Sequence, residues 1–149
     1  MAAYTPVSAV SQGLVSVLQD STFQTLCPGG VWDSVPQAPT YPFVLYAITE
    51  QAQFGGFGTK PGVGALPEVE IRLHAFSQFG GLTECQSVIA RAIALVTGTG
   101  ALQAAGVPGY QVCGAEPFLD RTVPLPDEAI LGQKVTELVA FLRVYVQEQ

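Results

Sequence analysis

Between Pro6 and Leu18, apolar residues recur at Val7, Val10, Leu14, Val17 and Leu18, the spacing of one helix face. Thr5-Pro6 supplies the start, because a Thr side chain caps exposed N–H groups and proline suits a first turn. The pattern fades near Asp20-Ser21, with Phe23 and Leu26 predicted to tuck beneath the helix. Cys27-Pro28-Gly29-Gly30 reads as a turn. Val31-Trp32-Asp33 is then a short strand, stopped by Val35-Pro36. The run from Phe43 to Thr49 is apolar on both faces, as in a strand covered on both sides. Five glycines, at 55, 56, 58, 62 and 64, predict a long loop from Phe54 to Pro67, since such a composition builds no packed element.

Val69, Ile71, Leu73 and Ala75 alternate with Glu70, Arg72, His74 and Phe76, which predicts a strand with one face inward. After Gly80-Gly81, the positions Leu82, Cys85, Val88, Ile89, Ala92, Leu95 and Val96 mark a second amphipathic helix, ended by Gly98 and Gly100. A helical turn at Ala101 to Ala105 follows, then a strand from Gln111 to Phe118. A Pro- and Asp-rich second loop is expected from Asp120 to Gly132, carrying Arg121, Asp127 and Glu128. The last strand, Gln133 to Gln147, sets Leu138, Ala140, Leu142, Val144 and Val146 on one face. Val135, Glu137, Val139, Phe141, Arg143 and Tyr145 lie on the other. Helix, three strands, helix, two strands is an α+β order. The expected architecture is one domain over residues 1–149, with two amphipathic helices packed on one face of a mostly antiparallel sheet, a single pair of layers.

Composition sharpens this picture. Hydrophobic residues make up 48% of the chain and charged residues only 12%, against about 25% charged in an ordinary soluble domain. So sparse a charge favours a surface partly covered by other subunits. The net charge of −6 argues against a nucleic-acid backbone as a stable partner, and the six Lys and Arg are scattered. Cys27, Cys85 and Cys113 have no metal-ligand spacing and read as small buried hydrophobes in a reducing compartment. The N-terminal residues show no secretory signal, and no apolar run approaches the ~20 residues of a membrane span.

The search for chemistry excludes most enzyme classes. His74 is the single histidine, so no second imidazole can join it at a metal, and no Ser lies in a G-x-S-x-G turn. The acidic pairs Glu68/Glu70 and Asp127/Glu128 read as solvated charges beside loops. Gly55-Gly56-Phe57-Gly58-Thr59-Lys60 lacks phosphate-loop spacing, and Pro61 follows the lysine. The expectation is no catalytic residue, no metal and no cofactor.

Four segments carry a resemblance. They are Gly30-Val31-Trp32-Asp33-Ser34-Val35-Pro36 after the first helix, the strand entry Tyr41-Pro42-Phe43-Val44, the strand Glu70-Ile71-Arg72-Leu73-His74-Ala75-Phe76-Ser77 before the second helix, and the long final strand Leu138 to Val146. Their order and spacing over nearly the whole chain resemble the tail-completion, or tail-terminator, proteins of long-tailed bacteriophages and gene-transfer particles. Phe43 departs from that pattern, standing where Tyr is common, and the glycine-rich loop is longer. The resemblance implies a structural virion subunit that forms a ring, hexameric by analogy. That ring would cap the tail tube at its head-proximal end, stop elongation and offer a docking surface to the head-tail connector or stopper. The implied partners are the chain itself, the tail tube protein and the connector, with DNA passing only transiently through the lumen and no membrane; assembly would occur in the host cytoplasm. Another ring component (a stopper or tube subunit) and a small-ligand-binding α+β module stand as alternatives.

Two surfaces are expected to serve assembly. The uncovered sheet face and edges, with Val139, Phe141 and Tyr145, would form the subunit interface. The glycine-rich loop, with Phe54, Phe57 and Lys60, would dock onto a neighbouring ring, since aromatic anchors offset the entropy of ordering a loop.

Overall fold

The computed structural model of the protein describes residues 5–51, 68–78, 82–130 and 133–149, with the backbone alone at 51, 118–130, 133 and 134. Phe54, Phe57 and Lys60 of the expected docking loop lie outside the described residues. Helix α1 (Pro6–Val17) begins as its sequence dictates. The Ser8 N–H donates to Thr5 Oγ1 at 3.1 Å and the Thr5 N–H donates to Ser8 Oγ at 3.0 Å, a reciprocal cap with serine where Glu or Gln is usual. Its buried stripe is Ala9, Val10, Gly13 and Leu14. Where the helix was expected to fade, Asp20 starts a second, short helix, α2 (Ser21–Leu26), by accepting from the Phe23 N–H at 3.0 Å. Phe23 is buried beneath.

Strands β1 (Val31–Trp32), β2 (Phe43–Gln51) and β3 (Glu68–Ser77) follow, then α3 (Thr83–Thr97), α4 (Ala101–Ala105), β4 (Tyr110–Ile130) and β5 (Gln133–Glu148). The described strands form one sheet in the order β1-β2-β3-β5-β4. Only the β1–β2 pairing is parallel. The helices lie on one face, so the architecture is α+β, as the order of elements predicts. Val69, Ile71, Leu73 and Ala75 of β3 and Leu138, Ala140, Leu142, Val144 and Val146 of β5 meet Val10, Leu14, Phe23, Val88, Ile89 and Ala92 in one buried cluster. Arg91 of α3 donates to Asp20 Oδ2 from Nη2 at 2.9 Å and from Nε at 3.1 Å, tying α3 to the start of α2.

Two expectations are corrected. The second loop does not form: β4 runs through Arg121, Asp127 and Glu128, pairing with β5 as far as Ile130 opposite Gln133. Prolines 124 and 126 suggested a break, but among the described residues β4 is the last strand of the sheet, and an edge strand tolerates residues that cannot donate to a ladder. Register shifts between Val112 and Gly114, Pro117 and Thr122, and Leu125 and Glu128 absorb the extra residues. The second correction concerns β2. Phe43 and Val44 are buried, whereas Ala47, Thr49 and Glu50 are exposed, so only its first half is covered on both faces.

Candidate interaction surface

The face of the sheet turned away from the helices is assembled by cross-strand register. Opposite one another stand Glu68 and Tyr145, Glu70 and Arg143, Arg72 and Phe141, His74 and Val139, and Phe76 and Glu137. Beyond β3, β2 adds Phe43 beside Phe76 and Leu45 beside His74. Antiparallel neighbours directly opposite share a face, so these side chains form one continuous surface.

One end of it is apolar. Phe43 and Phe76 stack with ring centroids 5.0 Å apart, Tyr41 lies 5.2 Å from Phe43, and Val135 and Leu45 complete the cluster. At its border His74 Nδ1 sits 2.6 Å from Glu137 Oε1. Glu137 is only 4% exposed, and a buried carboxylate needs such a partner, since an unsatisfied one is costly. His74 thus has a structural role in which the sheet brings together two residues 63 positions apart.

The other end is charged and internally matched. Arg72 Nε donates to Glu70 at 2.8 Å and its guanidinium lies 5.7 Å from the Phe141 ring centre. Arg143 Nε pairs with Glu68 Oε1 at 2.6 Å. Tyr145 Oη donates to Glu116 at 3.0 Å and accepts from Arg143 Nη1 at 3.4 Å. The Tyr145 hydroxyl, first, and Glu68 beside it raise the Arg143 pKa further above its usual range. Of the three expected interface residues, Val139 is already buried within the single chain, at 5% exposure, while Phe141 and Tyr145 are half-buried. The acidic pair Glu68/Glu70 is not a bare carboxylate pair; each has an arginine on it.

Burial pushes the Cys27 thiol up to about 12 and the Cys85 thiol to about 11, so both stay protonated. Their Sγ atoms point at the carbonyls of Pro42 and Ala75, each at 3.4 Å. Among the described residues, no group of three or more His, Cys, Asp and Glu is placed to hold a metal ion. A cleft of about 360 Å³ between the α3–α4 turn and the start of β4 is lined by no charged side chain. No helix among the described residues is long and apolar enough to cross a membrane.

One feature of this region has no local sequence signal. The Gln103 side chain lies along the outer edge of β4, its Oε1 accepting from the Val112 N–H at 2.6 Å and its Nε2 donating to the Tyr110 carbonyl at 3.4 Å. The amide thereby stands in for a peptide group of an absent neighbouring strand.

No protein-family model and no curated protein matches the chain. Among solved structures it is similar to a chain of the virion of a native gene transfer agent particle, at 14% sequence identity and a TM-score of 0.67. The likeness covers 96% of this chain and 98% of that one. Identity this low speaks to architecture alone: the protein shares, almost end to end, the fold of a gene-transfer-agent virion chain.

Proposed function

We propose that this protein is a structural virion subunit, a tail terminator that forms a ring on the head-proximal end of a phage-like tail tube. The observation that carries this reading is the end-to-end likeness to a virion chain. The segments that resemble the tail-completion family support it. Val31-Trp32 forms β1, Phe43 opens β2, the His74 segment forms β3 and Leu138 to Val146 lies in β5. An acidic ring also suits a channel for DNA, because net negative charge lowers affinity for the phosphate backbone. On this reading the protein has no catalytic residue; its partners are further copies of itself, the tube protein and the head-tail connector or stopper. Assembly takes place in the host cytoplasm.

The ring contact is assigned to the uncovered sheet face around Phe141 and Tyr145. Phe141→Asp removes the ring under Arg72, worth about 0.5–1 kcal/mol at an exposed site, and sets a charge where subunits meet. The variant should fold, with a Tm near that of the wild type, and fail to cap tails. Particles made without the protein should carry tails of uncontrolled length that do not join heads. Correctly sized, head-joined tails from a deletion strain would refute the terminator role. Spontaneous growth of the purified protein into long tubes would give it the role of a tube subunit instead.

A further inference from the structure

We propose that the outer edge of β2, from Tyr46 to Glu50, docks one extended, basic segment of another protein, which adds a strand to the sheet. The inference is independent of the ring.

The two edges of this sheet are treated differently. On the β4 side, Gln103 occupies the hydrogen-bonding groups of Tyr110 and Val112, prolines 117, 124 and 126 offer no N–H, and the register breaks at three places. These are the means by which edge strands avoid pairing. On the opposite side, β1 covers only the first two rungs of β2, with Val31 beside Val44 and Trp32 beside Leu45. Among the described residues no strand pairs with that side of β2 past Leu45. The Val44 N–H donates outward to the Gly30 carbonyl at 2.9 Å. The β2–β3 register has no bulge, so Tyr46, Ile48 and Glu50 turn their backbone groups outward in the same way; the Trp32 rung takes the Tyr46 N–H and leaves the Tyr46 carbonyl and the groups of Ile48 and Glu50. Such a row is a template for an incoming strand.

Side chains around this edge say what the strand should be. A shallow groove lies beside it on the helix side, lined by Ser11, Gln12, Val15, Ser16, Gln19 and Tyr46, all uncharged. At the end where β1 departs, Trp32 and Val35 remain 45% and 43% exposed, the large apolar side chains left most open among the described residues. Asp33 and Glu50 are exposed at the two ends, and no Lys, Arg or His occurs in the first 59 residues. Asp20 is already neutralised by Arg91. Lysine or arginine flanking an alternating apolar and small polar core is therefore the complementary chemistry. A second copy of this chain fits poorly. Two β2 edges set against each other would bring the acidic ends, Asp33 and Glu50, of both copies together, and among the described side chains Arg72, Arg91 and Arg143 are engaged with Glu70, Asp20 and Glu68.

The test uses the full chain and three ten-residue peptides: alternating Val and Thr flanked by Lys, the same core flanked by Glu, and the Lys-flanked sequence with proline at alternate positions. Binding is followed by Trp32 fluorescence and by amide exchange at Ile48. The Lys-flanked peptide should bind about tenfold more tightly than its Glu twin, a gap that narrows at high salt. It should also slow exchange of the Ile48 amide, while the proline peptide should do neither. Ile48→Pro should abolish binding. The double change Asp33→Lys with Glu50→Lys should reverse the charge preference, and this decides the matter even if the proline variant does not fold. Equal binding of the Lys and Glu peptides, or an Ile48 amide whose exchange no peptide slows, would overturn the proposal. So would self-association in native mass measurements with the Ile48 amide already protected, which would give the edge to a second copy.

Discussion

Gly29 sits where the chain turns from α2 into β1, and its replacement by alanine should unfasten that end of the sheet. An ideal Cβ at this position would lie 1.8 Å from the Thr40 carbonyl oxygen, 2.6 Å from that of Pro42 and 2.7 Å from Phe43 Cβ. These neighbours are backbone or a strand Cβ, so relief requires the turn to move. Three hydrogen bonds depend on its place: Gly29 N–H to the Pro42 carbonyl at 2.9 Å, Val44 N–H to the Gly30 carbonyl at 2.9 Å, and Trp32 Nε1 to the Gly29 carbonyl at 2.6 Å. At about 1 kcal/mol each their loss comes to about 3 kcal/mol, with a further 1–3 kcal/mol, roughly, for displaced packing. For a chain of this length, that corresponds to a fall in Tm on the order of 10 °C. Thermal unfolding by circular dichroism measures the loss, and Trp32, the single tryptophan, reports the local release by its emission. Gly30→Ala is the control. Its φ of +82° costs an L-residue about 1–2 kcal/mol, but the nearest atom to its added Cβ is Trp32 Nε1 at 3.5 Å, so its effect should be smaller. A Gly29→Ala protein with a Tm within about 2 °C of the wild type, or with unchanged Trp32 emission, would refute the reasoning.

His74→Ala should leave the Glu137 carboxylate without its 2.6 Å partner and destabilise the fold by about 1–3 kcal/mol, read by urea denaturation; Glu137→Gln in that background should recover part of the loss. The Arg91 hydrogen bonds, then the Phe23 N–H, hold the Asp20 carboxyl below its usual range. Its charge therefore stabilises the fold above the unfolded value of about 3.9 and ceases to as pH falls through the lower folded value. The Tm gap between wild type and Asp20→Asn should accordingly be present at neutral pH and close in acid; a gap that widens in acid would contradict this assignment. Cys113 is exposed, against the expectation that all three cysteines are buried, so iodoacetamide at mild alkaline pH should modify it in the native protein and reach buried Cys27 and Cys85 only after unfolding, as counted by intact mass.

How much of this was legible in the sequence follows from how local each signal is. α1 and α3 announce themselves by apolar spacing, and Thr5 marks a start because capping involves residues three apart. The alternation in β3 and β5 sorts helix-facing from outward-facing side chains correctly, because a strand's period needs no knowledge of its neighbours. What escaped depends on neighbours. Prolines 124 and 126 look like loop residues until β4 is known to be an edge. The union of His74 with Glu137 requires the β3–β5 register, which no short pattern encodes; the available hint was one acidic residue among apolar ones on the outward face of the last strand. Gln103 and the β4 edge are in the same position, since a glutamine in a five-residue helix carries no mark of what it will touch.

The amide of Gln103 has a consequence best put in the language of polymers. A sheet with two reactive edges is a bifunctional monomer, and strand-by-strand addition to it can run on without limit. Occupying Tyr110 and Val112 with a side chain, with prolines and register shifts further along β4, leaves the β2 edge as the reactive end. A monofunctional unit joins a chain once and cannot propagate it, so with β2 as the docking edge proposed above, strand addition to this sheet would end after a single partner.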